Sequence, residues 1–137
     1  MEINIYTDGG SRGNPGPCGA GGVIFGSDGT IISEISKYLG IGTNNYAEYM
    51  ALILTLERVS ELGISDSIIT VFMDSQLIIK HINGTYKVKH PNMKKLYNEV
   101  KELITEFENI KFVHIPRNKN THADSLANKA MDSVKIT

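Results

Sequence analysis

The chain has 137 residues, of which 14 are basic and 15 are acidic, so its net charge is −1. Hydrophobic residues make up 41% and charged residues 21%, the balance of a globular protein that can bury its own core. We therefore expect one domain over residues 1–137. The charge balance excludes binding of nucleic acid through bulk positive charge, so any such binding requires a local basic patch.

The composition also bears on the cellular compartment. No basic and then apolar leader opens the chain, and no apolar stretch approaches the roughly 20 residues that span a bilayer. The single cysteine, Cys18, excludes an internal disulfide and is interpreted as a small residue of a turn. We expect a cytoplasmic, monomeric protein that makes no membrane contact.

The first third of the chain predicts an antiparallel meander. Residues 2–7, 22–25 and 31–38 have strand patterns, and the Gly-Ser-Asp-Gly segment over 26–29 predicts a hairpin turn. Residues 9–19 are rich in glycine and proline and predict a loop.

The remainder of the chain predicts helices and strands in alternation. A helix over 44–62 is expected to begin at Thr43 or Asn44 and to end at Gly63. The later elements are a buried strand over 68–73, helices over 75–82 and 93–107, a strand over 110–115, and a helix over 121–131 capped by Asn120 or Thr121. This order indicates an α/β fold with a mixed sheet.

Four carboxylates lie where these elements begin or end. Asp8 and Asp74 follow two strands, and Glu48 and Asp124 lie near the starts of two helices. Each has an ordinary alternative that stays open: a turn residue for Asp8, a helix cap for Asp74, and compensation of the helix dipole for Glu48 and Asp124.

Glu48 is the most informative of the four. It heads a stripe of residues at helical spacing that is expected to face the core, namely Ala51, Leu52, Thr55, Val59 and Leu62. A buried lone charge is very costly, so a glutamate there needs a partner or a metal. If the fold gathers all four acids, they need counter-charge, and hard cations such as Mg²⁺ prefer oxygen ligands. The pattern points to metal-dependent chemistry on a phosphate ester.

Four segments together carry a family resemblance: Tyr6-Thr7-Asp8-Gly9-Gly10 continuing to Gly16, Thr43-Asn44-Asn45-Tyr46-Ala47-Glu48, Asp74-Ser75-Gln76, and His122-Ala123-Asp124-Ser125-Leu126-Ala127. In this order they resemble ribonuclease H, type 1, over nearly the whole chain. The resemblance implies a five-stranded mixed sheet flanked by helices. It also implies an endoribonuclease that cuts the RNA strand of RNA–DNA hybrids.

The resemblance further implies the chemistry of the site. Asp8, Glu48, Asp74 and Asp124 would be the catalytic, metal-binding acids, with two Mg²⁺ ions, or Mn²⁺ as a substitute, about 3.5–4 Å apart. The expected products carry 5′-phosphate and 3′-hydroxyl ends.

Substrate contacts are implied in the same way. Telling RNA from DNA requires contact with the 2′-hydroxyl, which suits short polar side chains. The candidates are Asn14, Asn44, Asn45 and Gln76 in the minor groove, and Thr43 at a phosphate of the DNA strand.

The chain departs from the family pattern at two places. The basic insertion that many bacterial members carry is absent, and a short stretch with Lys87 and Lys89 follows residues 83–85 instead. These lysines either contact phosphates or form a solvated face. Arg117 lies in the loop where many members place a mobile histidine, and we interpret it as the functional stand-in, although arginine cannot shuttle protons.

Two other functions remain as alternatives. One is a non-catalytic module that binds hybrids with the same fold, although the presence of all four acids argues against it. The other is a nuclease of the same superfamily that cuts DNA or double-stranded RNA.

Overall fold

The computed structural model describes residues 1–134. Within them, the strands are β1 (Glu2–Ser11), β2 (Gly16–Gly26), β3 (Ile31–Gly42), β4 (Ile68–Met73) and β5 (Asn109–His114). The helices are α1 (Asn44–Glu61), α2 (Gln76–Ile82), α3 (Pro91–Ile104) and α4 (Thr121–Asp132), with a 3-10 helix over Arg117–Lys119 before α4. The order of strands and helices that the sequence predicts is confirmed.

The strands form one mixed sheet in the order β3-β2-β1-β4-β5. β1 pairs with β2, and β2 with β3, in antiparallel fashion. β1 pairs with β4, and β4 with β5, in parallel fashion. The predicted α/β fold with a five-stranded mixed sheet is therefore confirmed, and its two central strands are the parallel pair β1 and β4.

Helices cover both faces of the sheet. A Cβ on Gly9 would meet α1, whereas a Cβ on the next residue, Gly10, would meet Met131 of α4. Because successive residues of a strand face opposite sides, α1 and α4 lie on opposite faces. The main core lies on the α1 side and includes Ile5, Leu52 and Val71. None of the helices within residues 1–134 has the length and apolarity required to cross a membrane.

The prediction of a loop over residues 9–19 is wrong for most of its length. β1 continues to Ser11 and β2 begins at Gly16, so only residues 12–15 connect the two strands. The glycines in this segment serve close packing as well as turning. At Gly9 an added Cβ would overlap the backbone carbonyl of Ala47 in α1, which only a residue without a side chain avoids. Asp8 consequently lies inside a strand, and its interpretation as a turn residue is also wrong.

The helix ends correct three further expectations. Thr43 caps α1 as predicted, since its Oγ1 accepts from the backbone N–H of Tyr46 at 3.1 Å. The cap of α2 is Ser75 rather than Asp74, because the Ser75 Oγ accepts from Ile78 N–H. Leu62 lies past the end of α1 and is 43% exposed, so it does not belong to the core stripe.

The bounds of α3 also differ from the sequence expectation of 93–107. The helix begins at Pro91, where the missing N–H costs nothing, and His90 caps it by accepting from Asn92 N–H at 3.2 Å. Phe107 lies beyond the helix yet remains buried in the core.

The close approach of α1 to β1 generates a prediction about stability. Gly9→Ala should lower the free energy of unfolding by at least ~1–3 kcal/mol, because the new methyl group overlaps helix backbone that cannot rotate away. Denaturant unfolding measures the change.

The neighbouring glycine supplies a matched control. A Cβ on Gly10 would lie 3.6 Å from the flexible Met131 side chain, an ordinary contact. Gly10→Ala should therefore change the free energy of unfolding by less than about 1 kcal/mol. Equal effects of the two substitutions would contradict the close-packing account.

Candidate metal and active site

Three of the predicted acids form a compact cluster. Carboxylate oxygens of Asp8, Glu48 and Asp74 all lie within 4.8 Å of one another. The fourth acid, Asp124, lies in the first turn of α4 and acts on Asp8 both through its charge and through a hydrogen bond between the two carboxyl groups. The fold therefore brings together all four acids that the sequence singles out.

The parallel pairing of β1 and β4 places two of them. Thr7 of β1 is in register with Met73 of β4, and each of these residues immediately precedes an acid. Asp8 and Asp74 consequently emerge side by side at the same end of adjacent strands. This end of a parallel pair is where α/β folds commonly build ligand sites.

Two glycines let the helices bring the other acids to the same place. Gly9 lies beneath the backbone of Ala47 and Glu48 in α1. Gly21, the cross-strand partner of Asp8, lies beneath the carbonyl of Ala123 in α4. A side chain at either glycine would displace the helix, and with it the acid that the helix carries.

Burial and mutual repulsion perturb the cluster strongly. Asp8 is 4% exposed, and burial together with the charges of Asp74 and Asp124 raises its pKa to about 8, against a smaller lowering by the Gly9 N–H at 3.0 Å. Burial and the charges of Asp8 and Asp74 likewise raise the pKa of Glu48 well above its ordinary value. Without counter-charge, the cluster holds protons at neutral pH.

The donor set fits a hard divalent cation. All four groups are carboxylates, and the Oε2 atom of Glu48 is buried without a hydrogen-bond partner. A buried unpaired carboxylate oxygen is costly, and a coordinated cation would remove that cost. Glu48 also lies beyond the first turn of α1, so its interpretation as a solvated acid that compensates the helix dipole is wrong.

Arg117 faces the cluster from the loop before α4. It begins the 3-10 helix and is exposed, yet its positive charge acts on Glu48 and partly offsets the rise in the Glu48 pKa. The nearby histidines are placed differently. His114 ends β5, and His122 contacts Glu34 through its Nε2 at 2.6 Å. Among the charged side chains of this loop, Arg117 is therefore the one that acts on the acids.

Three of the predicted substrate contacts form a hydrogen-bonded unit beside the cluster. The Oδ1 of Asn14 accepts from the backbone N–H of Asn44 at 3.0 Å, and the Oδ1 of Asn44 accepts from the N–H of Ser11 at 2.9 Å. Thr43 stands at the same junction as the cap of α1. The loop over residues 12–15 is thus held against the start of α1, while Gln76 lies exposed at the start of α2.

A cleft of about 700 Å³ opens next to this unit. Its polar lining includes Asn14, Thr43 and Asn45, and the facing wall is the start of α3. Residues that the sequence analysis did not single out complete the lining, among them His90, Asn92, Lys95, Met50, Met93 and Leu96. The Pro91 that starts α3 was the available sign that a helix end lies here.

Lys87 and Lys89 are exposed in the segment between α2 and α3. Val88 between them is buried, so the two lysines project outward on either side of an anchored residue. Tyr86 is held by Lys80, whose Nζ donates to the tyrosine hydroxyl at 3.1 Å. The segment therefore presents a fixed basic surface without any inserted helix.

The raised pKa of Asp8 leads to a prediction about stability. A carboxyl whose folded pKa lies near 8, above its ordinary 3.8, stabilises the fold while protonated and loses that contribution as the pH rises through about 8. In metal-free buffer at pH 9, Asp8→Asn should therefore raise the free energy of unfolding by a few kcal/mol. At pH 4 the two proteins should differ little.

Asp66→Asn, at an exposed site outside the cluster, is the control and should have little effect at either pH. Denaturant unfolding in the presence of a chelator measures all three proteins. A gain for Asp8→Asn that is equal at both pH values would contradict the assignment of charge repulsion as its cause.

Comparisons with known proteins agree with this geometry. The family model described as reverse transcriptase-like matches residues 6–130. The bifunctional protein Rv2228c of Mycobacterium tuberculosis is 44% identical over 134 residues, which are 97% of this chain and 36% of that protein. Ribonuclease HI of Halobacterium salinarum is 41% identical over 131 residues, which are 96% of this chain and 65% of that protein. The chain thus spans between about a third and two thirds of these relatives.

Two solved structures are similar over almost their entire length. RNase H1 from Halobacterium salinarum has a TM-score of 0.93 and 40% identity, with 98% of this chain and 100% of that chain covered. LC11-RNase H1, solved in complex with an RNA/DNA hybrid, has a TM-score of 0.92 and 47% identity, with 96% and 98% covered. The chain belongs to the reverse transcriptase-like family and, within it, to the type 1 ribonucleases H.

Proposed function

We propose that this protein is a metal-dependent endoribonuclease that hydrolyses the RNA strand of RNA–DNA hybrids. The observation that carries the proposal is the gathering of four carboxylates at the end of the two central strands, with raised pKa values for Asp8 and Glu48. Support comes from the similar LC11-RNase H1, which was solved with such a hybrid. We further propose that residues 1–137 act as one catalytic domain.

The proposed ligands are Asp8, Glu48, Asp74 and Asp124, with Mg²⁺ as the ion, two per site when substrate is bound, and Mn²⁺ as a substitute. When present, this group supplies two-metal hydrolysis: a lowered pKa for the attacking water, compensation of charge on the leaving 3′ oxygen, and products with 5′-phosphate and 3′-hydroxyl ends.

The chain itself contributes rigidity and a driving force for cation binding. Asp8 and Asp74 are fixed by paired strands, and Glu48 and Asp124 by helices packed directly on glycines, so the ligands are set before any ion arrives. The proton that Asp8 holds near neutral pH leaves when a cation takes its place.

Arg117 is proposed to hold a substrate phosphate close to Glu48. Its exposed guanidinium carries a permanent charge, and its proximity to the cluster follows from its effect on the Glu48 pKa. Guanidinium groups bind phosphate through two parallel hydrogen bonds but do not transfer protons. The role is therefore one of binding and orientation.

The remaining polar residues are proposed to read the hybrid. Asn14, Asn44, Asn45 and Gln76 offer donors and acceptors of the kind that contact with a 2′-hydroxyl requires. The bonds between Asn14, Asn44 and Ser11 hold part of this set in place before substrate binds. Thr43 and the exposed Lys87 and Lys89 are proposed to contact phosphates.

Cleavage of a labelled hybrid tests the proposal directly. With Mg²⁺ present, the protein should cut the RNA strand and leave 5′-phosphate ends. Asp74→Asn should reduce kcat by at least about 100-fold, more than the loss typical when an outer partner of a metal ligand is removed. Asp66→Asn serves as the control and should retain parental activity.

The same preparation should be compared on double-stranded RNA and on duplex DNA of the same sequence. Faster cutting of either would favour a different nuclease of the superfamily. Binding of the hybrid without any turnover in Mg²⁺ or Mn²⁺ would identify a non-catalytic module.

The positive side chains generate a separate prediction. Lys87→Ala and Lys89→Ala should each weaken hybrid binding and reduce its logarithmic salt dependence by about one, as expected for a lost phosphate contact. Arg117→Ala should instead lower kcat, with partial recovery in Arg117→Lys. Lys111→Ala, at an exposed position on β5, is the control. A salt dependence that is unchanged in the Lys87 and Lys89 variants would assign these lysines to a solvated face.

The monomeric state and the cytoplasmic location stay predictions of the sequence.

A further inference from the structure

Asn120 occupies the cap position of α4 but does not act as a cap. Its side chain makes no hydrogen bond to the first turn of the helix. Instead the side chain is 1% exposed, and its Nδ2 donates to the backbone carbonyl of Thr7 at 2.9 Å. The expectation that Asn120 caps the last helix is therefore met in position and not in chemistry.

This one residue connects two acids of the site. Thr7 immediately precedes Asp8 in β1, so the Nδ2 bond fixes the backbone that carries the first acid. The backbone carbonyl of Asn120 accepts from the N–H of Asp124 at 3.1 Å, which fixes the backbone of the other. Asn120 thus bridges Asp8 and Asp124, which are otherwise carried by separate elements.

The arrangement has a cost that ordinary capping would avoid. The Oδ1 of Asn120 is buried without a partner, and so is the Oγ1 of Thr7 beside it. Unpaired buried polar atoms are rare in folded proteins and require a reason. Serine or aspartate would start the helix equally well, but serine is too short to reach Thr7 and an ionised aspartate has no N–H to donate.

We propose that Asn120 is a positioning residue of the acidic cluster, which sets the separation of Asp8 and Asp124 and thereby the affinity of the site for divalent cations. The proposal rests on the proposed function only in taking these acids as the ligands. It concerns cation affinity, which is measurable whether or not the protein cuts hybrids.

Two variants keep the helix start while removing the bridge. Asn120→Ser and Asn120→Asp both place a favoured cap residue before α4, and neither can donate to the Thr7 carbonyl. Each should weaken Mn²⁺ binding, measured by calorimetry without substrate, by about 10-fold or more, the loss typical of removing a group that orients a metal ligand. The Mg²⁺ concentration for half-maximal cleavage should rise in parallel.

The control is another tether between α4 and the sheet. The Ser36 Oγ of β3 donates to the carbonyl of Leu126 at 2.7 Å, in the middle of the helix. Ser36→Ala removes one hydrogen bond between the same two layers at a distance from the acids. It should leave Mn²⁺ affinity and the Mg²⁺ requirement within about twofold of the parent.

A double-mutant cycle separates positioning from general weakening of the fold. If Asn120 acts through Asp124, then Asn120→Ser should have little further effect on Mn²⁺ affinity in an Asp124→Asn background. An equal effect in both backgrounds, or an unchanged affinity in both Asn120 variants, would overturn the proposal. A parent that binds Mn²⁺ with these shifts but cuts no hybrid would overturn the proposed function and leave the role of Asn120 intact.

Discussion

Repulsion among carboxylates held at one end of the central strands is the constraint on which the site depends. Four acids lie close together, Asp8 is almost wholly buried, and the described residues offer only Arg117 as a cation acting on the cluster. The rest of the fold has to hold these groups against their mutual repulsion. Paired strands, helices packed on glycine and the Asn120 bridge perform that task, and the cluster stores the resulting tendency to bind protons or cations.

The glycines explain how so small a scaffold keeps the acids together. Gly9 and Gly21 adjoin Asp8 along the chain and across the sheet, and each lies beneath the helix backbone next to another acid. The acids are thus ordered by backbone packing, which changes little when ions or substrate bind. The parts that meet substrate, such as Gln76 and the Lys87–Lys89 segment, lie instead on exposed termini and connections.

Much of this arrangement can be predicted from sequence, and the exceptions have physical causes. Hydrophobic period places the elements, and Glu48 on an apolar stripe signals a buried acid. The glycines mislead, because sequence does not distinguish a glycine that turns from one such as Gly9 that admits a helix. Asn120 resembles a cap, and only the fold shows that its amide reaches Thr7, which lies 113 positions away. The facing wall of the cleft, with His90 and Asn92, likewise forms only by tertiary contact.

Proton release on metal binding tests the central claim most directly. If the cluster holds protons only for want of a cation, then Mg²⁺ binding at pH 7 should release about one proton or more, since Asp8 has a pKa of about 8. Calorimetry in buffers of different ionisation enthalpy measures this number. The account predicts release that disappears in Asp8→Asn. Metal binding by the parent protein with no proton release would contradict it.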